Sequence, residues 1–279
     1  MAQRMVLGSH LRELREGLGI SVVDAGRHIG ASGSKISRLE TGQHVYKARD
    51  ISSLLDFYGV SDAAERHNLM ELLEHANQRP WWQDWSDVAT KQLQTFVSFE
   101  EMAQRIRTYE PAQLPGLLQT EEYARAVILS GREATSRREV ERLVDLRQHR
   151  RLRFEGAPPK RLISVIDEVT LIRPFGDSGI MRRQLDHLIA LTEQHSRYVM
   201  RIAELRKPNL PVVLGSTTIF DFEDMLLPSI VYTEQFDGAF ILQEEEQVDR
   251  RVKGFDRLQK ASLSHKGSAQ RLRDLRSAF

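Results

Sequence analysis

The chain has no cysteine among its 279 residues. That excludes disulfides, cysteine nucleophiles and thiolate metal sites, and it suits a reducing cytoplasm. Long apolar runs are missing as well. No stretch reaches the length that spans a bilayer, and the first residues, Met1 to Gly8, lack the apolar core of a secretory signal, so no membrane role is expected. Net charge is only +1, which rules out a polyelectrolyte. The nine histidines form no His-Glu-x-x-His string, and His187 and His195 stand too far apart to share one metal. No serine sits in a Gly-x-Ser-x-Gly elbow. Gly176, Gly179 and Gly215 are isolated and make no phosphate loop. No catalytic residue, metal or cofactor is therefore expected. Asp167-Glu168 follows a β-branched run, where a catalytic carboxylate or a helix cap would stand; the cap is the commoner reason.

The length leaves room for one large domain or two smaller ones, and an ordinary apolar content argues for packed cores. Residues 1–50 hold eight Lys/Arg against five Asp/Glu, while residues 51–76 hold one Arg against five acids. A basic face beside an acidic one fits a small nucleic-acid-binding head.

Helical periodicity fills the first part. Leu7, Leu11, Leu14 and Leu18 mark one face of a first helix that Gly8 or Ser9 begins and Gly17 and Gly19 end. A second runs from Ser21 to Ile29, with Ser21 as cap and Asp24 in the place of a capping-box acid. Gly26 lies where it and the next helix approach closely. The third helix follows Gly30-Ala31: Ser32 caps it, Ile36 and Leu39 face inward, and Ser34, Lys35, Ser37 and Arg38 face out until Gly42 stops it. Short polar and basic side chains outside, apolar ones inside and an unobstructed N-terminal end are what a helix needs to enter the DNA major groove. Leu18, Ile20, Ile29, Ile36 and Leu39 are the expected core of the pair. Helices at 48–58 and 62–77 complete a five-helix, all-α domain over residues 1–77.

These residues carry a resemblance. Leu11-Arg-Glu-Leu-Arg-Glu16, Ile20 through Gly30, Ser34 through Gly42 and Leu54 through Val60 resemble the lambda-repressor/Cro-like, or XRE, helix-turn-helix family. Trp81-Trp-Gln83, Tyr109-Glu-Pro111, Leu114-Pro-Gly-Leu-Leu-Gln-Thr120, Asp167-Glu168, Arg173-Pro174 and Phe255-Asp-Arg-Leu258 look like a large actinobacterial group of such regulators with a long C-terminal domain of unknown function, sometimes called antitoxin-like. The resemblance implies double-stranded DNA as partner. It places base-reading positions on Gly33, Ser34 and Arg38, beside the capping Ser32, and phosphate contacts on Lys35, Ser37, Tyr46, Lys47 and Arg49. Two residues depart from the family pattern, which often has Gln where Val22 and Gly33 stand here. Both departures move weight to Arg38, whose guanidinium fork matches guanine O6 and N7. The plainer alternatives are a helical hairpin without DNA contact, and an Arg38 that is solvated or paired with Glu40 or Asp24.

Residues 78–279 are expected to form a larger α+β domain with a small sheet. Phe96 to Ile106 keep helical spacing, Tyr109 to Gly116 read as a rigid loop, and helices are expected over about 120–129, 136–153, 178–194 and 244–263. Residues 161–166, 211–214, 217–220 and 229–232 read as strands. Trp81, Trp82, Trp85, Tyr109, Glu110 and Leu117 are candidates for a ligand or partner pocket; the alternative is that they are structural. The function expected is a DNA-binding transcriptional regulator, a homodimer in the cytoplasm, whose second domain senses a small-molecule effector or a small partner protein. An antitoxin-like protein that chiefly binds a partner encoded beside it is the second hypothesis. An enzyme with a fused DNA-binding head is the third, disfavoured by the missing site.

Overall fold

A computed structural model of the chain describes residues 2–131, 136–156, 160–194, 196–211, 215–222, 228–235 and 238–279. The contacts divide into two compact units. The first is built on residues 2–84 and 93–102, the second on residues 85–92 and most of the chain from 103 to 279. In class the architecture is as expected, a helical N-terminal region followed by a larger α+β region.

The first unit opens with α1 (Ala2–Gly17), α2 (Val22–His28), α3 (Gly33–Glu40), α4 (Ala48–Phe57) and α5 (Ala63–Asn77). Their apolar stripes meet in one core that includes Leu7, Leu11, Ile36, Leu39, Ile51, Leu54 and Leu69. Leu18, expected there, is instead 55% exposed. The helix ends at Gly17 and the chain turns at Gly19 with φ +67°, which carries Leu18 off the buried stripe; Ile20 packs on the core in its place.

The first helix also begins well before Gly8. That residue does not start a helix; it lets α3 approach. A Cβ on Gly8 would fall 2.5 Å from the carbonyl oxygens of both Leu39 and Glu40. These are backbone atoms, so relief requires the helices to part. Gly8→Ala is expected to destabilise the unit by about 1–3 kcal/mol in urea unfolding, the usual cost of overpacking. Gly17→Ala, with nothing within 4 Å of the added methyl, is the control and should be neutral or mildly stabilising. Equal effects of the two would remove the close approach as the reason for Gly8.

After the five helices a short 3-10 helix spans Trp81–Trp85, and α6 (Lys91–Met102) follows. The helical spacing seen in the sequence up to Ile106 overruns this element. Ile106 belongs to β1 (Arg105–Glu110), the first strand of the second unit. The rest of that unit is α7 (Glu121–Gly131), α8 (Arg137–Gly156), β2 (Arg161–Asp167), α9 (Glu168–Ile172), α10 (Ser178–Gln194), β3 (Tyr198–Ala203), β4 (Thr217–Asp221), β5 (Ile230–Gln235), β6 (Gly238–Leu242), α11 (Glu245–Ala261) and α12 (His265–Arg276).

The sheet is larger than expected. Six strands run in the order β3-β2-β1-β4-β5-β6; β1, β2 and β3 are parallel, and the other neighbours are antiparallel. Strands β1, β3 and β6 were not anticipated. In the expected strand at 211–214, residues 212–214 lie outside the described residues, as does His195. Helix α11 packs Val248, Phe255 and Leu258 against Tyr109, Val165, Ile219 and Val231. Asp167 is a helix cap: one carboxylate oxygen accepts from the Val169 N–H at 3.1 Å, the other from the Tyr109 hydroxyl at 2.9 Å. Among the described residues no helix is long and apolar enough to cross a membrane.

Candidate nucleic-acid interface

Two serine caps set α2 and α3. Ser21 Oγ accepts from the Asp24 N–H at 3.1 Å and donates to Asp24 Oδ2 at 2.7 Å. Ser32 Oγ accepts from the Lys35 N–H at 3.3 Å. Each cap satisfies one amide that the first helical turn leaves open. Between them the turn is tight. A Cβ on Gly26 would meet Ala31 O and the Ser32 carbonyl carbon at 2.8 Å, so only glycine lets the turn fold back onto α2.

The outward face of α3 carries Ser32, Ser34, Ser37 and Arg38, all exposed, while Ile36 and Leu39 are buried beneath it. Arg38 is not drawn into either carboxylate that the sequence offered it. Arg15 holds Glu40, and Arg27 with Ser21 holds Asp24. Its charge is therefore presented to solvent on the polar face. Gly33 is half-buried because the backbone of α2 lies against it, with Val22 O 3.3 Å from where its Cβ would be. Val22 itself packs against the core.

Two of the expected contacts are placed differently. Tyr46 is buried, and its hydroxyl lies 2.5 Å from Arg4 O and 2.6 Å from Leu39 O, donating its hydrogen between two backbone carbonyls. Burial also pushes its pKa upward. It has no surface for a phosphate, and its part is to pin the chain after α3 to α1. Lys35 turns back to Asp50, Nζ to Oδ2 at 2.6 Å, and ties α3 to α4. Its charge is matched locally, which weakens it as a phosphate ligand. Lys47 and Arg49 are exposed at the start of α4 and stay available.

One pair was not anticipated. Arg15 forms a two-pronged contact with Glu40, Nε to Oε1 at 2.6 Å and Nη2 to Oε2 at 3.0 Å, with both residues buried. Arg15 also donates to Ile20 O at 2.8 Å. One guanidinium thus fixes the end of α1, the entry to α2 and the end of α3. The signal lay in the spacing: Arg15 stands four residues after Leu11 and eight after Leu7, on the apolar stripe.

The six candidate ligand or partner residues do not belong to one unit: Trp81 and Trp82 fall in the first, and Trp85, Tyr109, Glu110 and Leu117 in the second. Trp82, Trp85, Tyr109 and Leu117 are buried. Trp81 is half-buried and stacks edge-on with Trp82. Trp85 Nε1 donates to Asp145 on α8 at 3.0 Å, and the Arg142 guanidinium lies 5.9 Å from its ring centre. The Leu114-to-Thr120 string is a locked corner. Gln119 Nε2 donates to Leu114 O, Gln184 Nε2 donates to Leu118 O, and Gln184 Oε1 accepts from the Thr120 N–H. These bonds fit the structural alternative.

Glu110 differs from its neighbours. It is half-buried at the end of β1, accepts from Ser216 Oγ at 2.8 Å, and burial pushes its pKa up to about 7. A raised acid binds more protons folded than unfolded, so its contribution falls as pH rises from about 4.3 through 7. Glu110→Gln keeps an acceptor for Ser216. It should raise stability at pH 8 by on the order of 1–2 kcal/mol and change little at pH 4. A benefit of the same size at both pH values would show that burial of charge is not its origin.

Residues 6–69 match the family described as helix-turn-helix domain, and residues 93–274 match the family described as domain of unknown function, DUF5753. The second match covers more than half of the chain. No curated protein and no solved structure matches it. The first match makes the N-terminal helices a DNA-binding domain.

Proposed function

Since the chain belongs to the DUF5753 family and carries a helix-turn-helix DNA-binding domain ahead of that region, we propose that it is a sequence-specific transcriptional regulator of the lambda-repressor/Cro-like type. The supporting observation is the outward face of α3, with exposed Ser34, Ser37 and an Arg38 that no carboxylate holds among the described residues, followed by exposed Lys47 and Arg49. Serines and a free guanidinium over an apolar underside suit base edges; the flanking cations suit phosphates. The reading includes a cytoplasmic homodimer on an inverted repeat, because one head covers one half-site. It gives the larger domain no catalytic role, but control of DNA contact through an effector or partner protein.

Selection of bound duplexes from random DNA tests this reading. An enriched half-site recovered as an inverted repeat is expected, and no enrichment at moderate salt would overturn it. Within the selected site, Arg38→Ala should lose about 1–3 kcal/mol of discrimination at one base pair. Lys47→Ala should weaken binding to every duplex alike and shallow the salt dependence by roughly one counterion. Equal losses on specific and random duplexes for Arg38→Ala would take base reading away from that residue.

A further inference from the structure

The two edges of the six-stranded sheet are treated differently. On β3 the edge is closed: the Ile202 N–H donates to Ser268 Oγ at 2.9 Å, and Ile202 O accepts from the Leu263 N–H at 2.9 Å. The loop before α12 and the helix itself thus occupy the places of a further strand. On β6 the only hydrogen-bonded neighbour among the described residues is β5. The strand reads Gly238-Ala-Phe-Ile-Leu242, with no charge and no proline, and Phe240 is 58% exposed. Natural sheets guard open edges with lysine, proline, a bulge or a cover. An unguarded apolar edge beside a guarded one marks a surface that is covered in use.

We propose that β6 pairs with β6 of a second copy, antiparallel and centred on Phe240. The inference rests on the homodimer of the proposed function and gives it a place in the fold. A two-fold axis through Phe240 sets Ala239 against the second copy's Ile241, so no charge meets a like charge within the five paired residues. A peptide of other composition would have to match the same uncharged strand, whereas the strand matches itself. Five residues a side bury less than a permanent dimer requires. The free protein is therefore a weak dimer, and a duplex with two half-sites strengthens it by holding both copies together.

The absence of cysteine makes the test direct. Phe240→Cys in the full chain places one thiol on the proposed axis, where directly opposed Cα atoms lie within the range a disulfide spans. Mild oxidation should give a covalent dimer at least tenfold faster than Leu205→Cys, which is equally exposed on another part of the unit. Phe240→Lys should abolish the concentration-dependent dimer in sedimentation while leaving thermal unfolding unchanged. Cross-linking no faster than the control, or a Phe240→Lys chain that still dimerises, overturns the proposal. If selection recovers a half-site that the chain binds as a monomer whatever stands at 240, β6 pairing fails and the regulator reading survives. If no DNA is enriched, the regulator reading fails, and the cross-linking result judges β6 on its own.

Discussion

Alanine in place of Glu40 lowers the stability of the first unit by about 3–5 kcal/mol, the cost of stripping one partner from a buried ion pair. The carboxylate takes both prongs of Arg15, at 2.6 and 3.0 Å, with neither residue open to water. Without it a guanidinium stays buried with only Ile20 O and the exposed Glu16 as acceptors. For a unit of this size the loss lowers the melting temperature by on the order of 10–20 °C. DNA binding should fall with it, because the pair fixes the end of α3 to α1. Replacing both partners, Arg15→Met with Glu40→Leu, should recover much of the stability, since paired charges earn little net energy over apolar groups of similar volume. A Glu40→Ala loss under 1 kcal/mol, the range of an exposed pair, would show that water reaches the site.

That pair marks where the sequence stopped being readable. Helix positions in the first unit followed from local rules, a cap at Ser21, a cap at Ser32 and leucines at helical spacing, because those rules involve neighbours within a turn or two. Arg15 and Glu40 are 25 residues apart; the place of Arg15 on the apolar stripe signals its burial, but nothing local names Glu40 as its partner. Gly8 was misread for the same reason. Its meaning lies in the approach of α3, which no local pattern reports. In the second unit β1 was hidden because Arg105-Ile-Arg-Thr-Tyr-Glu110 carries three charges, at 105, 107 and 110, after a helical run. One of them, Arg107, is buried by a partner far along the chain. Strand β3 likewise includes an arginine, and β6 is only five residues long.

At the interface the legible part was the identity of α3 and its exposed serines and Arg38, all set by cap and periodicity. Tyr46 and Lys35 were not legible, since burial and the Asp50 contact depend on how α4 returns to α3. The aromatic and Leu-Pro-Gly segments were conspicuous as sequence, and most of their large side chains are buried. A tyrosine or tryptophan in a string shows that a large side chain must be placed, not whether it faces a ligand.

The second unit offers the counterpart of the Glu40 prediction. Asp221→Ala should cost about 3–5 kcal/mol at pH 7. Asp221, at the end of β4, receives Arg107 at 2.6 and 2.9 Å, Arg105 at 2.7 Å and Ser229 at 2.6 Å. Asp256 lies 3.8 Å from Arg107, too far to replace these bonds. Burial alone would raise the Asp221 carboxyl, but the hydrogen bonds from Arg107, Arg105 and Ser229 outweigh it and hold the pKa below the usual carboxylate range. A depressed acid contributes its full stability above the unfolded value near 3.9 and loses it as pH falls through the lower folded value. The difference between the wild-type chain and Asp221→Ala should therefore be constant from pH 5 to 8 and shrink below pH 4. Because the pair lies within the second unit, the loss should appear in the unfolding of that unit. Selection of a half-site by the head should be affected far less than by Glu40→Ala. A gap between wild type and variant that stays the same down to pH 2 would mean that packing, not the buried charge, gives Asp221 its weight.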